Sequence, residues 1–340
     1  MFVALTNGSP DAVSSPDGVT WTQHTLPISG QWRTPVWNGS VFCALGFESA
    51  TAITSPDGAA WTQHTLPVSG GWNTLVWNGS VFCALGYNSS VAITSPDGVT
   101  WTQHTLPVSG FWETLVWNGS VFCALSAGQA TAITSPDGAT WTQHTLPVSG
   151  YWITLEWNGS VFCALGWNST VAITSPDGVT WTQHTLPVSG GWYTLAWNGS
   201  VFCSLDDGLG MGSTVGVTSP DGVTWTQRTL PVSDTWTWLV WNGSVFCALS
   251  EASVSGSNIT SPDGVSWVQH TLPVSGNWPR PVWDGNLFCI ADGDTALTSP
   301  DGATWTQHTL PVSGAWVLVA TSDVVVFAPF WQNFRRCVEI

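Results

Sequence analysis

The motif Ser-Pro-Asp-Gly-x-x-Trp-x-Gln begins at Ser15, Ser55, Ser95, Ser135, Ser175, Ser219, Ser261 and Ser299, at spacings of 40, 40, 40, 40, 44, 42 and 38 residues. Self-similarity at such a period restricts a chain to an array of one supersecondary unit, in which each copy buries its faces against its neighbours. The eight copies run through nearly all of the 340 residues, so the array accounts for almost the whole chain.

Residues 72–106, WNTLVWNGSVFCALGYNSSVAITSPDGVTWTQHTL, show what the unit is. Two β-type runs, WNTLVW and SVFCAL, flank Asn-Gly, a strong hairpin signal because a type I′ turn takes positive φ at both central residues. The polar loop GYNSS leads to VAIT. SPDG then turns that strand into VTWTQHTL, which Pro107 is expected to end. Nothing has helical period, and Gly or Pro punctuates every strand. Four antiparallel strands in some forty residues is the pattern of a propeller blade. Apolar residues on both faces suit sheets sandwiched between neighbours.

Complete blades begin at Trp32, Trp72, Trp112, Trp152, Trp192, Trp236 and Trp278. Residues 2–26 supply strands two to four of an eighth, and WVLVAT from Trp316 supplies its first strand. The expected fold is all-β: an eight-bladed propeller of four-stranded antiparallel blades over residues 1–324, closed by strands from both termini, with 325–340 as a tail. Closure of this kind removes exposed sheet edges. The segment DVVVFAPF at 323–330 competes with MFVAL for the second-strand slot. The N-terminal copy is preferred because it keeps the Ser15–Trp21 turn contiguous with both flanking strands.

Hydrophobic residues make up 43% and charged ones 8%, which excludes disorder. The chain has no lysine, five arginines and a formal charge of −16, which argues against nucleic acid or an anionic membrane as partner. No apolar run has the length of a membrane span. The opening MFVALTNGSPDAV matches the repeat segment VFCALGYNSSVAI, so it reads as part of the fold and not as a signal peptide. Cys43, Cys83, Cys123, Cys163, Cys203, Cys247 and Cys289 share one repeat column, and Cys337 lies in the tail. Packed sheets sit ~10 Å apart, too far for a disulfide, so the seven are expected to be buried free thiols, in keeping with a reducing cytoplasm.

The segment Ser-Pro-Asp-Gly-Val-Thr-Trp at Ser95–Trp101 resembles the Asp-box, or BNR repeat, of usual form S-x-D-x-G-x-T-W. Each copy here is one residue short between Asp and Gly. In that family the box is a structural turn between the third and fourth strands, away from any active site. The resemblance therefore implies that Asp17, Asp57, Asp97, Asp137, Asp177, Asp221, Asp263 and Asp301 lock turns, a role open to a carboxylate that accepts nearby backbone N–H groups. Sialidases are the familiar Asp-box enzymes, and they need three converging arginines and a tyrosine paired with Glu. Only Arg33 and Arg280 stand near a first strand, and the tyrosines are Tyr87, Tyr151 and Tyr193 alone. Over residues 1–320 the repeats are also similar to the SPDG-x-TWT segments of bacteriophage tail and fibre proteins. That likeness implies a virion-associated, receptor-facing protein made in the host cytoplasm.

The Asn-Gly and Asp-Gly turns hardly vary, and chain reversal puts them on one end of the ring. Variation gathers at the other end. The candidate ligand-binding face there comprises Gln31, Arg33, Phe47, Asn73, Tyr87, Phe111, Glu113, Tyr151, Trp167 and Tyr193. Aromatic rings cover apolar sugar faces while amides and carboxylates bond hydroxyls, so the expected partner is a glycan or a host-surface protein. The seven histidines form one column on the outermost strand and cannot converge on a metal. Asp206-Asp207-Gly208 and Asp292-Gly293-Asp294 lack a full calcium loop. No metal and no cofactor is expected. Glu156 breaks a column of mostly Val and reads as a channel-lining substitution; with Glu113 it is the only candidate carboxylate pair for a glycoside hydrolase.

The expectation is thus a non-enzymatic propeller displaying a variable recognition face, with a structural spacer and a lectin-like bacterial protein as alternatives. Phe327, Phe330, Trp331, Phe334, Arg335 and Arg336 in the tail are expected to dock other virion proteins.

Overall fold

The computed structural model describes residues 1–33, 35–250 and 256–320, and it is all-β: eight antiparallel sheets arranged as an eight-bladed propeller. Residues 72–110 exemplify a blade. A short first strand Val76–Trp77 pairs with Phe82–Leu85, which pairs with Ser89–Ser95, which pairs with the outer strand Thr102–Gly110. In the last blade the second and third strands run together as Phe288–Ser299. The tail at 325–340, with its proposed docking residues, lies outside the described residues.

Three local details differ from what the sequence suggests, each for a physical reason. The Asn-Gly turn is not type I′. Gly79 has φ of 97°, while Asn78 keeps a negative φ and its Oδ1 accepts the N–H groups of Ser80 at 2.9 Å and Val81 at 2.8 Å. An Asx turn of this sort needs only one left-handed residue.

The first strand is also broken. Between the isolated bridge Trp72↔Gly86 and the pair Val76↔Cys83, Thr74 Oγ1 accepts the Leu85 N–H at 3.2 Å in place of a ladder bond. Thr114, Thr154 and Thr194 do the same for Leu125, Leu165 and Leu205. Where Trp238 or Leu318 takes the threonine's place the strand is continuous, as in Trp236–Trp241 and Trp316–Ala320, whereas Arg280, between Pro279 and Pro281, leaves only Val282–Trp283. A hydroxyl that competes for backbone donors interrupts the ladder, and an apolar residue cannot.

Finally, Pro107 does not end the fourth strand, which continues to Gly110 beyond a bulge opposite Ser89–Val91. This strand is the blade's outer edge, where a missing N–H costs no ladder bond.

Blades are glued face to face. Val76, Cys83, Leu85, Ala92 and Leu106 of one blade pack against Trp112, Phe122, Ala124, Ile133 and Trp141 of the next. Burial of each such side chain is worth roughly 1.5–3 kcal/mol. The first-strand tryptophan also reaches back: Trp112 Nε1 donates to the Ser89 carbonyl at 2.9 Å, and Trp152 Nε1 to that of Gln129 at 3.1 Å. The ring shuts by antiparallel pairing of Phe2–Thr6 with Trp316–Ala320, register Phe2↔Ala320 to Thr6↔Trp316. The N-terminal segment thus holds the second-strand slot. All seven column cysteines are free and fully enclosed, and burial raises their thiol pKa values, that of Cys247 to about 12.

Candidate functional site

The two ends of the ring are built differently. At one end lie the Asp-Gly turns. Asp137 Oδ1 accepts the N–H groups of Ala139 and Thr140, both at 2.8 Å, and the Ser135 hydroxyl at 3.0 Å. Ser135 Oγ accepts the Gly138 N–H at 2.8 Å, and Trp141 Nε1 donates to the Gly138 carbonyl at 2.8 Å. The same bonds recur at Asp17, Asp57, Asp97, Asp177, Asp221, Asp263 and Asp301. Backbone N–H donation, first from Thr140, holds the Asp137 carboxyl below the usual carboxylate range, and the other seven are lowered likewise.

Each turn wedges against the preceding blade. A methyl group on Gly138 would sit 2.9 Å from Thr94 Cγ2 and 3.2 Å from Cys83 Sγ. The same threonine, Thr94, meets His104 Nε2 at 2.7 Å. The histidine column therefore serves packing: burial lowers the pKa values of His64, His104, His144, His184, His270 and His308, and Arg228 Nε donates to Thr218 Oγ1 in the eighth copy.

The opposite end, the mouth, carries the candidate face. Backbone bonds pin each loop tip beside the residue that enters the first strand: Phe47 N–H to the Gln31 carbonyl, Tyr87 to Gly71, Trp167 to Tyr151. After each of these aromatics comes a residue in left-handed geometry, Glu48, Asn88 and Asn168, with φ between 49° and 53°. Asn is at ease there; Glu is not, and its loop position is set by the tight tip. The rings form two contacting groups along the mouth. Tyr87 and Phe111 lie 5.3 Å apart edge to face, and Trp167 sits 6.1 Å from both Tyr151 and Tyr193. Gly71 leaves the gap that Phe47 and Tyr87 flank. Tyr151 is 50% exposed, whereas Phe47, Tyr87, Phe111 and Trp167 are half-buried and Gln31 is exposed.

The residues that follow the first-strand tryptophans turn inward and are covered instead of displayed. Arg33, Glu113 and Tyr193 are all buried, with Ile153 fully so; Asn73 is half-buried. Asn73 Nδ2 donates to Glu113 Oε2 of the next blade. The Arg33 guanidinium lies 4.0 Å above the Phe47 ring and feels Glu113 and Glu48. Burial pushes the Glu113 carboxyl up to about 8, against the pull of Arg33 and Asn73. Glu156 is likewise pushed up to about 8 by burial, opposed by Arg280. The two glutamates thus answer to different arginines. The link from Glu156 to Arg280 is invisible in sequence, because the two residues belong to separate blades and occupy different repeat columns.

The rim beyond the aromatic arc is acidic. Asp206 Oδ1 accepts the Gly191 N–H at 2.6 Å, Asp207 Oδ1 that of Leu209 at 2.8 Å, and Asp292 Oδ2 that of Asn277 at 3.3 Å. Among the described residues no group of three or more His, Cys, Asp or Glu is placed to hold a metal ion.

No protein-family model and no curated protein matches the chain. Solved structures do match in fold. Virginiamycin B lyase from Staphylococcus aureus aligns with TM-score 0.64 at 9% identity, over 86% of this chain and 96% of that one. AztD from Citrobacter koseri aligns with TM-score 0.64 at 13% identity, over 94% and 97%. Dihydro-heme d1 dehydrogenase NirN aligns with TM-score 0.71 at 8% identity, over 95% and 75%. At these identities the likeness concerns the propeller alone. It nonetheless corrects one expectation. The chain was read as non-enzymatic, yet propellers of this architecture include a lyase and a dehydrogenase, so the fold gives no ground for setting catalysis aside.

Proposed function

We propose that the mouth is a recognition site and that its aromatic arc, from Phe47 round to Tyr193, receives a carbohydrate. The observation that carries this reading is the way the rings are held. Edge-to-face contacts fix Trp167 between Tyr151 and Tyr193 while Tyr151 stays 50% exposed, which leaves a rigid apolar platform open to a sugar face. Exposed amides at Asn88 and Asn168 stand beside Tyr87 and Trp167, within a residue of the rings, where they can bond hydroxyls. Placement of the protein on a phage virion or tail rests on the repeat resemblance. A host-surface protein as ligand, or a spacer role, would be the reading left if glycans fail.

The test is binding to a glycan array and to whole cells, with Tyr151→Ala beside the parent protein. Stacking of one exposed ring is worth ~1.4 kcal/mol, so the variant should bind about tenfold more weakly with an unchanged melting temperature. Undiminished binding by Tyr151→Ala would move the site elsewhere.

A further inference from the structure

We infer that the mouth sorts its ligands by charge, accepting neutral or amino-bearing saccharides and excluding carboxylated or sulfated ones. This deepens the glycan reading above and rests on it. The charged side chains that the described mouth loops expose are acids: Glu48 at one loop tip and Asp294 at another. Asp234 and Asp292 add half-buried carboxylates to the same rim.

The described arginines are withdrawn from the rim, although Arg33 interacts with Glu48 from beneath it. Arg33 is 6% exposed and roofed by the Phe47 ring at 4.0 Å, so its guanidinium is out of reach of a ligand on the rim. Arg228 belongs to an outer strand, Thr226–Asp234, and donates to Thr218. Arg280, half-buried, stands just before the first strand Val282–Trp283 of its blade and interacts with Glu156. A carboxylate or sulfate sugar is held by charge-assisted donors, above all by the planar fork of arginine. At this mouth it would instead meet Glu48 and Asp294, on a chain whose formal charge is −16. A neutral sugar needs only the ring faces and amides that the arc provides, and an ammonium group gains from the acids.

The experiment measures binding of the full chain to four immobilised probes: a neutral oligosaccharide, a chitosan oligomer, a sialylated oligosaccharide and a heparin fragment, at low and high salt. The neutral and amino-bearing probes should bind at least about tenfold more tightly than the two anionic ones, and high salt should narrow the gap. The double variant Glu48→Gln with Asp294→Asn, both at exposed positions, should narrow it as well. Anionic probes binding as well as neutral ones, or a gap indifferent to both salt and the double variant, overturns the inference and leaves the glycan reading standing. Binding of no probe, or neutral binding that Tyr151→Ala does not weaken, overturns the glycan reading and the inference with it.

Discussion

At the box end of the ring, eight surface carboxylates accept backbone N–H groups; Glu113 beside the mouth and Glu156, in the strand that runs into the Asn158 turn, are instead carboxyls buried inside the ring. The two arrangements make stability respond to pH in opposite directions. Held below 3.8, the box carboxyls contribute fully above that value and lose their contribution as pH falls through the lowered one. The column histidines, lowered from 6.5, add to the acid side: their contribution is complete above 6.5 and is lost below it. Glu113 and Glu156 behave the other way. Below about 4.5 both folded and unfolded states are protonated; between there and about 8 only the unfolded chain sheds the proton, so stability falls. The same scaffold thus carries surface acids that stabilise it by ionising and buried acids that stabilise it by staying neutral.

The largest expected effect tests this opposition directly. Between pH 6.5 and 8 the parent protein should lose on the order of 2–4 kcal/mol relative to the double variant Glu113→Gln with Glu156→Gln, read from denaturant midpoints, the histidine contribution being common to both. Glu156→Gln alone should remove about half of that difference. Midpoints that run parallel across the window would mean the two glutamates are not held neutral.

Next in size is a pair of glycines with similar φ and different surroundings. Gly138, φ +77°, has Thr94 Cγ2 at 2.9 Å from its missing methyl, whereas Gly128 at the mouth, φ +75°, has only the Tyr151 ring at 3.9 Å. Gly138→Ala should cost about 3 kcal/mol, backbone strain and overpacking together, and Gly128→Ala about 1 kcal/mol. Equal costs would show that the box turns do not wedge against the preceding blade. A smaller effect than that of Gly138→Ala is expected of Asp137→Ala, ~1–2 kcal/mol for a lost turn lock. Its binding at the mouth should match the parent's; if binding vanished while stability held, the two ends would not be independent.

Most of the scaffold could be read from the repeat. Asn-Gly, Asp-Gly and the strand alternation between them mark every hairpin, and the count of tryptophans from Trp32 to Trp316 fixes eight blades and their closure. What escaped reading depends on side chains acting as backbone. Thr74 breaking its strand and Asn78 replacing a left-handed residue are both hydroxyl or amide substitutions for a peptide group, which periodicity does not register. The mouth was half legible. Tyr151 and Trp167 stand where loop variation places them, but Arg33, Glu113 and Tyr193 turn inward because eight first strands converge and leave little room between them. Convergence is a property of the closed ring, and no single repeat reports it. Catalysis was judged from missing sialidase residues, a criterion too narrow for an architecture shared with other enzyme chemistries.

The joint between Phe2–Thr6 and Trp316–Ala320 bears on how such a chain is made. Synthesis delivers Phe2–Thr6 roughly three hundred residues ahead of its partner strand, so that edge waits unpaired while near-identical hairpins emerge beside it. Repetition of this kind invites exchange of strands between blades or between nascent chains. The closing strand is marked against that hazard. Its sequence has Leu318 where most first strands have threonine, and it therefore forms five consecutive pairs, Phe2↔Ala320 to Thr6↔Trp316, where Val76–Trp77 forms two with its own partner strand. A closing strand that pairs along its full length grips the edge of Phe2–Thr6 with five registered pairs, where an interrupted copy would offer two.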